Sequence, residues 1–132
     1  MKEKLTYLQP YAISLLRIVA GYMIMFHGLD KVFGLFGGKV PLTSLMGIGG
    51  LIELLAGLLI MIGLGTRLAS FILSGQMAVA YVIFHGLAGN IFLPSVNKGE
   101  LAALYAFVFL LFVFTGSGAL GLDNFLSKNK SL

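Results

Sequence analysis

The stretch Leu45 to Leu64, LMGIGGLIELLAGLLIMIGL, decides the fold. It runs for about 20 residues with one charge, Glu53. A helix rises about 1.5 Å per residue, so this segment spans the ~30 Å hydrocarbon core of a bilayer. No polar face is left for water, and the small residues Gly49, Gly50, Ala56 and Gly57 gather on the side that carries Glu53. Small residues let membrane helices approach closely. Glu53 is therefore expected to face protein rather than lipid.

The same reading extends outward in both directions. Tyr11 to Leu29 forms a first span, with Pro10 suited to a first helical turn. Gly34, Gly37, Gly38 and Pro41 mark a loop, and Thr43 or Ser44 can cap the second span. The tight turn Gly63-Leu64-Gly65-Thr66-Arg67 leads into a third span, about 67–86. A second loop holds Pro94 and Asn97, and a fourth, shorter span covers about 99–114. The tail after Gly116, with Leu120, Leu122, Phe125 and Leu126 among polar residues, suits the membrane surface. The expectation is an all-α, single-domain, integral membrane four-helix antiparallel bundle over residues 1–132. Lys2 and Lys4 before an apolar run resemble a signal peptide, but the run is long and contains Arg17 without a small-x-small site, so it reads as a retained span.

Composition agrees. Hydrophobic residues make up 58% of the chain and charged residues 11%, with mean hydropathy +0.99. A soluble domain of this size needs more charge to cover its surface. The net charge of +4 comes from Lys and Arg at the ends of apolar runs, without a basic stripe, so nucleic acid is set aside. Lys2, Lys4, Arg67, Lys128 and Lys130 fall on one side, and Lys31, Lys39 and Lys98 on the other. This bias favours both termini in the cytoplasm of a cell membrane crossed several times. The absence of cysteine removes disulfides, iron–sulfur clusters, thiolate zinc and covalent haem.

Ionisable side chains inside spans are costly and mark functional candidates. Four spans bring polar groups to similar depth. His27 and Lys31 end the first span, four residues apart on one face. Glu53 lies about two turns into the second. His85 ends the third, with Tyr81 one turn deeper, and Asn97 and Glu100 open the fourth. Arg17 belongs to the other half, on a seam with Ile24 and Lys31. Gln76 lies near mid-membrane, and Asp123 can partner Arg17 or Arg67.

Each residue also has a plain structural reading. Asn97 to Glu100 has the spacing of a capping box, Lys31 can snorkel to headgroups, and Arg67 can serve as a cytoplasmic anchor. Glu53 needs a partner, and Lys31 or His27 is nearest. A structural tie between the first two spans is the alternative to a reactive site.

Three chemistries fit the cluster. The first is a quinone-like pocket at the membrane interface, where imidazole, phenol and carboxylate groups bind ring oxygens and exchange protons. The second is a non-covalent haem ligated by His27 and His85. The third, a metal site of His27, His85, Glu53 and Glu100, ranks low because the Glu-x-x-His pair of di-iron bundles is missing, and no metal is expected.

Taken in order, certain residues carry a resemblance. They are His27-Gly28-Leu29-Asp30-Lys31 with Phe33-Gly34, then Glu53 and Gly57, then Gly63 to Arg67 and His85. Asn97-Lys98-Gly99-Glu100-Leu101 and the ending Gly116 to Asp123 complete it. The chain resembles the DoxX family of small four-helix bacterial and archaeal membrane proteins, from about Leu15 to Asp123. It departs at Phe92-Leu93-Pro94, where many members carry Trp before the Pro. The resemblance implies a cytoplasmic-membrane bundle. Some members are similar to the membrane subunit of thiosulfate:quinone oxidoreductase, and others accompany quinone or catechol stress responses.

The leading expectation is an oxidoreductase, or its membrane subunit, handling a quinone or similar lipophilic redox molecule. Glu53, His27 and His85 are the expected catalytic set, and Lys31, Tyr81, Asn97, Glu100 and Arg17 the ligand-binding set. The partners expected are the bilayer, a lipophilic small molecule, a soluble redox protein and a second copy of the chain. The rival classes are a non-catalytic scaffold or assembly factor and a small-molecule transporter.

Overall fold

The structure, a computed structural model, describes residues 1–129. All its regular elements are helical: α1 Lys2–Phe33, α2 Leu45–Ile62, α3 Thr66–Ala80, α4 Pro94–Asn97, α5 Glu100–Thr115 and α6 Leu122–Asn129. A π-helical turn, Tyr81–Gly86, continues α3. Three helices are long and apolar enough to cross a membrane: α1, α2, and α3 with its π turn. The fourth apolar helix, α5, has 16 residues and is shorter. The lysine at position 130, counted above among the cytoplasmic cations, lies outside the described residues.

The surface explains the composition. Leu68, Phe71, Phe107 and Phe114 are each about two-thirds or more exposed. A contiguous apolar surface of this kind belongs in lipid, and the chain is a membrane protein. The interior is narrow and centred on Ile24, Ile60, Leu73, Phe109 and Phe112. Packing runs chiefly between α1 and α2 and between α3 and α5, and α2 joins the two pairs by touching α3.

Glycine sets the α1–α2 distance. A Cβ on Gly57 would lie 2.8 Å from the backbone nitrogen of Met25, and one on Gly21 would lie 2.6 Å from that of Met61. The two backbones therefore touch. Such close approach is how membrane helices gain packing energy when lipid is as apolar as their own side chains.

Most helix ends follow the sequence reading. Ser44 caps α2, accepting from the Gly47 N–H at 3.0 Å. Gly63 closes α2 in the left-handed conformation, with Leu64 N–H bonded to Leu59 at 3.0 Å. This is a Schellman ending, which glycine makes without a steric penalty. Three expectations are corrected. First, α1 starts at Lys2, not near Tyr11, and Pro10 sits inside it. A proline removes one internal hydrogen bond, and the Pro10 carbonyl gains an external one from Ala119 N–H at 3.1 Å. Second, the capping box at α5 does not form, because the cap residue is Gly99, which has no side chain to accept from the first turn of the helix. Third, Arg67 is more than an anchor. Its guanidinium caps the end of α5, donating to the carbonyls of Val113 at 2.6 Å and Phe114 at 2.8 Å.

A polar belt closes the end of the molecule opposite the candidate site. Arg17 is fully buried. It donates to the carbonyls of Ile60, Met61 at 2.6 Å and Ser117 at 2.8 Å. A cation against the last carbonyls of α2 is also favourable to that helix dipole. Asp123 accepts from the N–H groups of Gly65 at 2.8 Å and Thr66 at 2.9 Å, capping α3 from a distant part of the chain. Its own N–H returns a bond to the Gly63 carbonyl at 2.8 Å.

Candidate functional site

The C-terminal turns of α1, the N-terminal half of α2, the end of α3 with its π turn, and the start of α5 surround one cavity of about 530 Å³. That volume is typical of small-molecule sites. Its walls are mostly aliphatic and aromatic, and Ile24, Ile52, Met77, Phe84 and Leu101 are among them. His27, Lys31, Glu53 and His85 line it together, as the sequence suggested.

Glu53 is the buried centre of the polar group, 2% exposed. Lys31 donates to both of its oxygens, at 2.7 and 2.8 Å. The lysine reaches it because residue 50 is glycine: a Cβ there would lie 2.7 Å from the Lys31 Cβ. From α3, Gln76 Nε2 donates to Glu53 Oε1 and to the Gly49 carbonyl, both at 3.0 Å. Three helices are thus tied at one carboxylate. The pair is asymmetric, since the Lys31 side chain is 26% exposed and that of Glu53 3%. A charge in a low-dielectric interior persists only when paired and hydrogen-bonded, and both conditions hold here.

The histidines differ in their restraint. His85 Nδ1 lies 3.2 Å from the Asn97 carbonyl, and its ring stacks on Tyr81 with centroids 6.4 Å apart. The π turn supplies this placement, since its wider ring turns Phe84 and His85 toward the cavity. His27 lines the cavity without a restraint of that kind.

The other expected ligand residues lie elsewhere. Tyr81 and Asn97 form a strut behind the site. The Tyr81 hydroxyl donates to the Ile91 carbonyl at 2.7 Å and accepts from Asn97 Nδ2 at 3.0 Å. Asn97 also donates to the Asn90 carbonyl at 2.8 Å and accepts from Gly99 N–H at 2.8 Å. These bonds satisfy both side chains and hold the loop between α3 and α5 against His85. Glu100 is exposed and faces a separate shallow groove with Ser95 and Leu104. Its position at the first residue of α5 turns it away from the cavity. Arg17 lies at the opposite end of the bundle, spent on the backbone carbonyls described above.

Three cavity residues with polar side chains were not among the expected set: Gln76, Lys98 and Tyr105. Gln76 carried the same signal as Glu53, a polar group inside a span. Tyr105 reads as packing in an apolar helix, and its ring does stack on Phe109 at 5.4 Å. Lys98 adopts the left-handed conformation (φ 61°), uncommon for a residue with a Cβ. Among the described residues no three His, Cys, Asp or Glu side chains stand together as a metal site would need.

Residues 12–86 match the family model named DoxX. A protein of Haemophilus influenzae named "Uncharacterized protein" is 43% identical over 122 residues, covering 88% of this chain and 91% of its own length. A protein of Bacillus subtilis named "Putative oxidoreductase CatD" is 30% identical over 122 residues, covering 88% of this chain and 87% of its own. No solved structure matches the chain.

Proposed function

The chain belongs to the DoxX family, and on that premise we propose that its cavity holds a quinone or similar lipophilic redox molecule, the protein acting as an oxidoreductase or the membrane subunit of one. In this reading α1, α2, α3 with its π turn, and α5 are four antiparallel spans of the cell membrane, with both termini cytoplasmic. The observation that carries the reading is the cavity itself: mostly apolar walls with one buried carboxylate and two imidazoles. The name of the Bacillus subtilis relative, an oxidoreductase, points the same way.

Reducing a quinone takes two electrons and two protons. The chain has no cysteine for a covalent redox centre, so the electrons come from a substrate, a bound cofactor or a soluble partner. The protein's share is proton handling and orientation. Glu53 exchanges the proton once Lys31 moves aside, and Lys31 is the movable member because its stem reaches the surface. His27 and His85 orient the ring oxygens, with His85 steadied by the Asn97 carbonyl.

The test is extraction of purified protein with organic solvent, with mass spectrometry of the extract and an absorption spectrum of the intact protein. A ring compound bearing oxygens, lost from Glu53→Gln protein that still folds, supports the reading. A preparation free of any lipophilic ligand, with full folding, counts against it. A haem spectrum would reassign His27 and His85 as axial ligands.

One observation favours a second reading, the non-catalytic scaffold. Lys31 and Gln76 already satisfy both oxygens of Glu53, as a permanent clamp between helices would. Under that reading Glu53→Gln lowers stability and changes no ligand occupancy.

A further inference from the structure

Two buried polar atoms on the cavity wall lack a hydrogen-bond partner: Gln76 Oε1 and the Tyr105 hydroxyl. Tyr105 is 6% exposed. Buried polar atoms are nearly always satisfied, and leaving one unmet is costly. Neither orphan follows from an ambiguous side chain. The Gln76 amide cannot be turned round, because its Nε2 donates to two acceptors, Gly49 O and Glu53 Oε1. Its free end is therefore an oxygen, which only accepts. The Tyr105 ring is held against Phe109, with the two planes within 6° of parallel. Its hydroxyl both donates and accepts.

The pair defines what it lacks. A ketone oxygen accepts from Tyr105 and leaves Gln76 Oε1 unmet. A hydroxyl group can donate to Gln76 Oε1, and the Tyr105 hydroxyl can be met by either kind of oxygen. We infer that the buried end of the cavity is built for a hydroxyl-bearing ring, so that the pocket binds the reduced, hydroxylated form of its ligand in preference to the carbonyl form, with Gln76 and Tyr105 as the residues that set this preference. This rests on the proposed function in placing a lipophilic ring in the cavity, and it adds which oxidation level the pocket favours. The same preference follows from the surroundings. Glu53 is already taken by Gln76 and Lys31, so the acceptor left for a ligand is Gln76 Oε1, which suits a ligand that donates. Lys31 is occupied by Glu53 and offers little to a carbonyl.

The test uses three redox-inert probes that share one ring system: 2-naphthol, 2-methoxynaphthalene and naphthalene. Binding is measured on the full chain in nanodiscs, with empty discs correcting for partition into lipid. The expected result is 2-naphthol binding about three- to ten-fold tighter than 2-methoxynaphthalene, the range a neutral hydrogen bond supports. Tyr105→Phe removes one hydroxyl and keeps the ring stack. It should reduce the advantage of 2-naphthol over naphthalene by about three-fold, with naphthalene affinity unchanged. A merely structural Tyr105 would shift all three probes together, and that outcome overturns the inference. Equal binding of naphthol and methoxynaphthalene also overturns it, and if menadione still binds, the proposed function survives that result. Failure of every ring compound to bind the wild-type protein removes both.

Discussion

The α1–α2 contact can be probed by two substitutions that are the same on paper. Gly57 and Gly75 both lie inside apolar helices, yet a Cβ on Gly57 meets Met25 N at 2.8 Å, Ile24 Cγ2 at 2.9 Å and Met25 Cα at 3.0 Å, while one on Gly75 meets nothing within 4 Å. Relaxed carbon contacts need roughly 3.5 Å, so the two helices must part by about 0.7 Å to admit the Cβ alone. Two of the three obstructing atoms are backbone and cannot rotate away. Leucine adds three further carbons in the same direction. Overpacking of this kind costs about 1–3 kcal/mol, and Leu should lie at the upper end. Helix propensity returns less than about 1 kcal/mol at either position. Gly57→Leu is therefore expected to destabilise by about 2 kcal/mol or more, and Gly75→Leu to be neutral or slightly stabilising. The assay is unfolding by SDS in mixed micelles, followed by far-UV circular dichroism. Equal midpoints for the two variants would refute the packing assigned to this face of α2.

Glu53→Gln should keep the fold, because an amide oxygen still accepts from Gln76, while ligand occupancy or quinone turnover is lost; thermal melting and occupancy are read on one sample. His85→Ala should melt close to wild type yet lower ligand affinity several-fold, and unchanged affinity would remove His85 from the site. Arg17→Met leaves the carbonyls of Ile60, Met61 and Ser117 without their donor in a buried place and should cost about 3–5 kcal/mol, the range for breaking a buried charged network; the same SDS titration reads it. The last prediction concerns pH. Burial alone would raise the Asp123 carboxyl, but the N–H groups of Thr66 and Gly65 and the Arg17 guanidinium together hold it below the usual carboxylate range. A depressed folded value means that the cap is fully stabilising above the unfolded value near ~4 and is lost as pH falls through the lower, folded one. The amide shifts of Gly65 and Thr66 should thus titrate with a midpoint below about pH 4 and stay flat in Asp123→Asn; a midpoint at or above 4 would contradict the capping role.

Particular residues show what a sequence of this kind discloses. Hydropathy located α2, α3 and α5 to within a few residues, because a long run without charge has few other uses. Glu53 was legible for the same reason, since an acid inside such a run demands a cation, and Lys31 is the nearest one spaced to reach it. Arg17 carried an equal signal and misled. Depth along a span says that a charge is paired but cannot say that its partners are backbone carbonyls, which have no sequence. Asn97 and Tyr81 misled differently: they share the depth of the cavity, but their side chains are spent on each other and on the carbonyls of Asn90 and Ile91, a pairing that hydropathy does not encode. Gln76 and Tyr105 drew little notice because neither bears a charge. Their importance lies in what they fail to touch, which only a three-dimensional arrangement reveals.

The polar belt at the far end has a consequence for how the molecule is made. Arg17 and Ser14 lie in α1, yet their partners at Ser117 and Leu120 are 100 residues or more further along the chain. Ile60 and Met61 come between them and can take the guanidinium when the α1–α2 hairpin forms. From then until Ser117 emerges, the Arg17 Nε donor lacks its final partner, and the first turn of α3 lacks the Asp123 cap. A nascent chain stalled before that point shows the bilayer a charged, half-satisfied helix. Closure of this end therefore waits on Ser117 and Asp123, however early the α1–α2 hairpin forms.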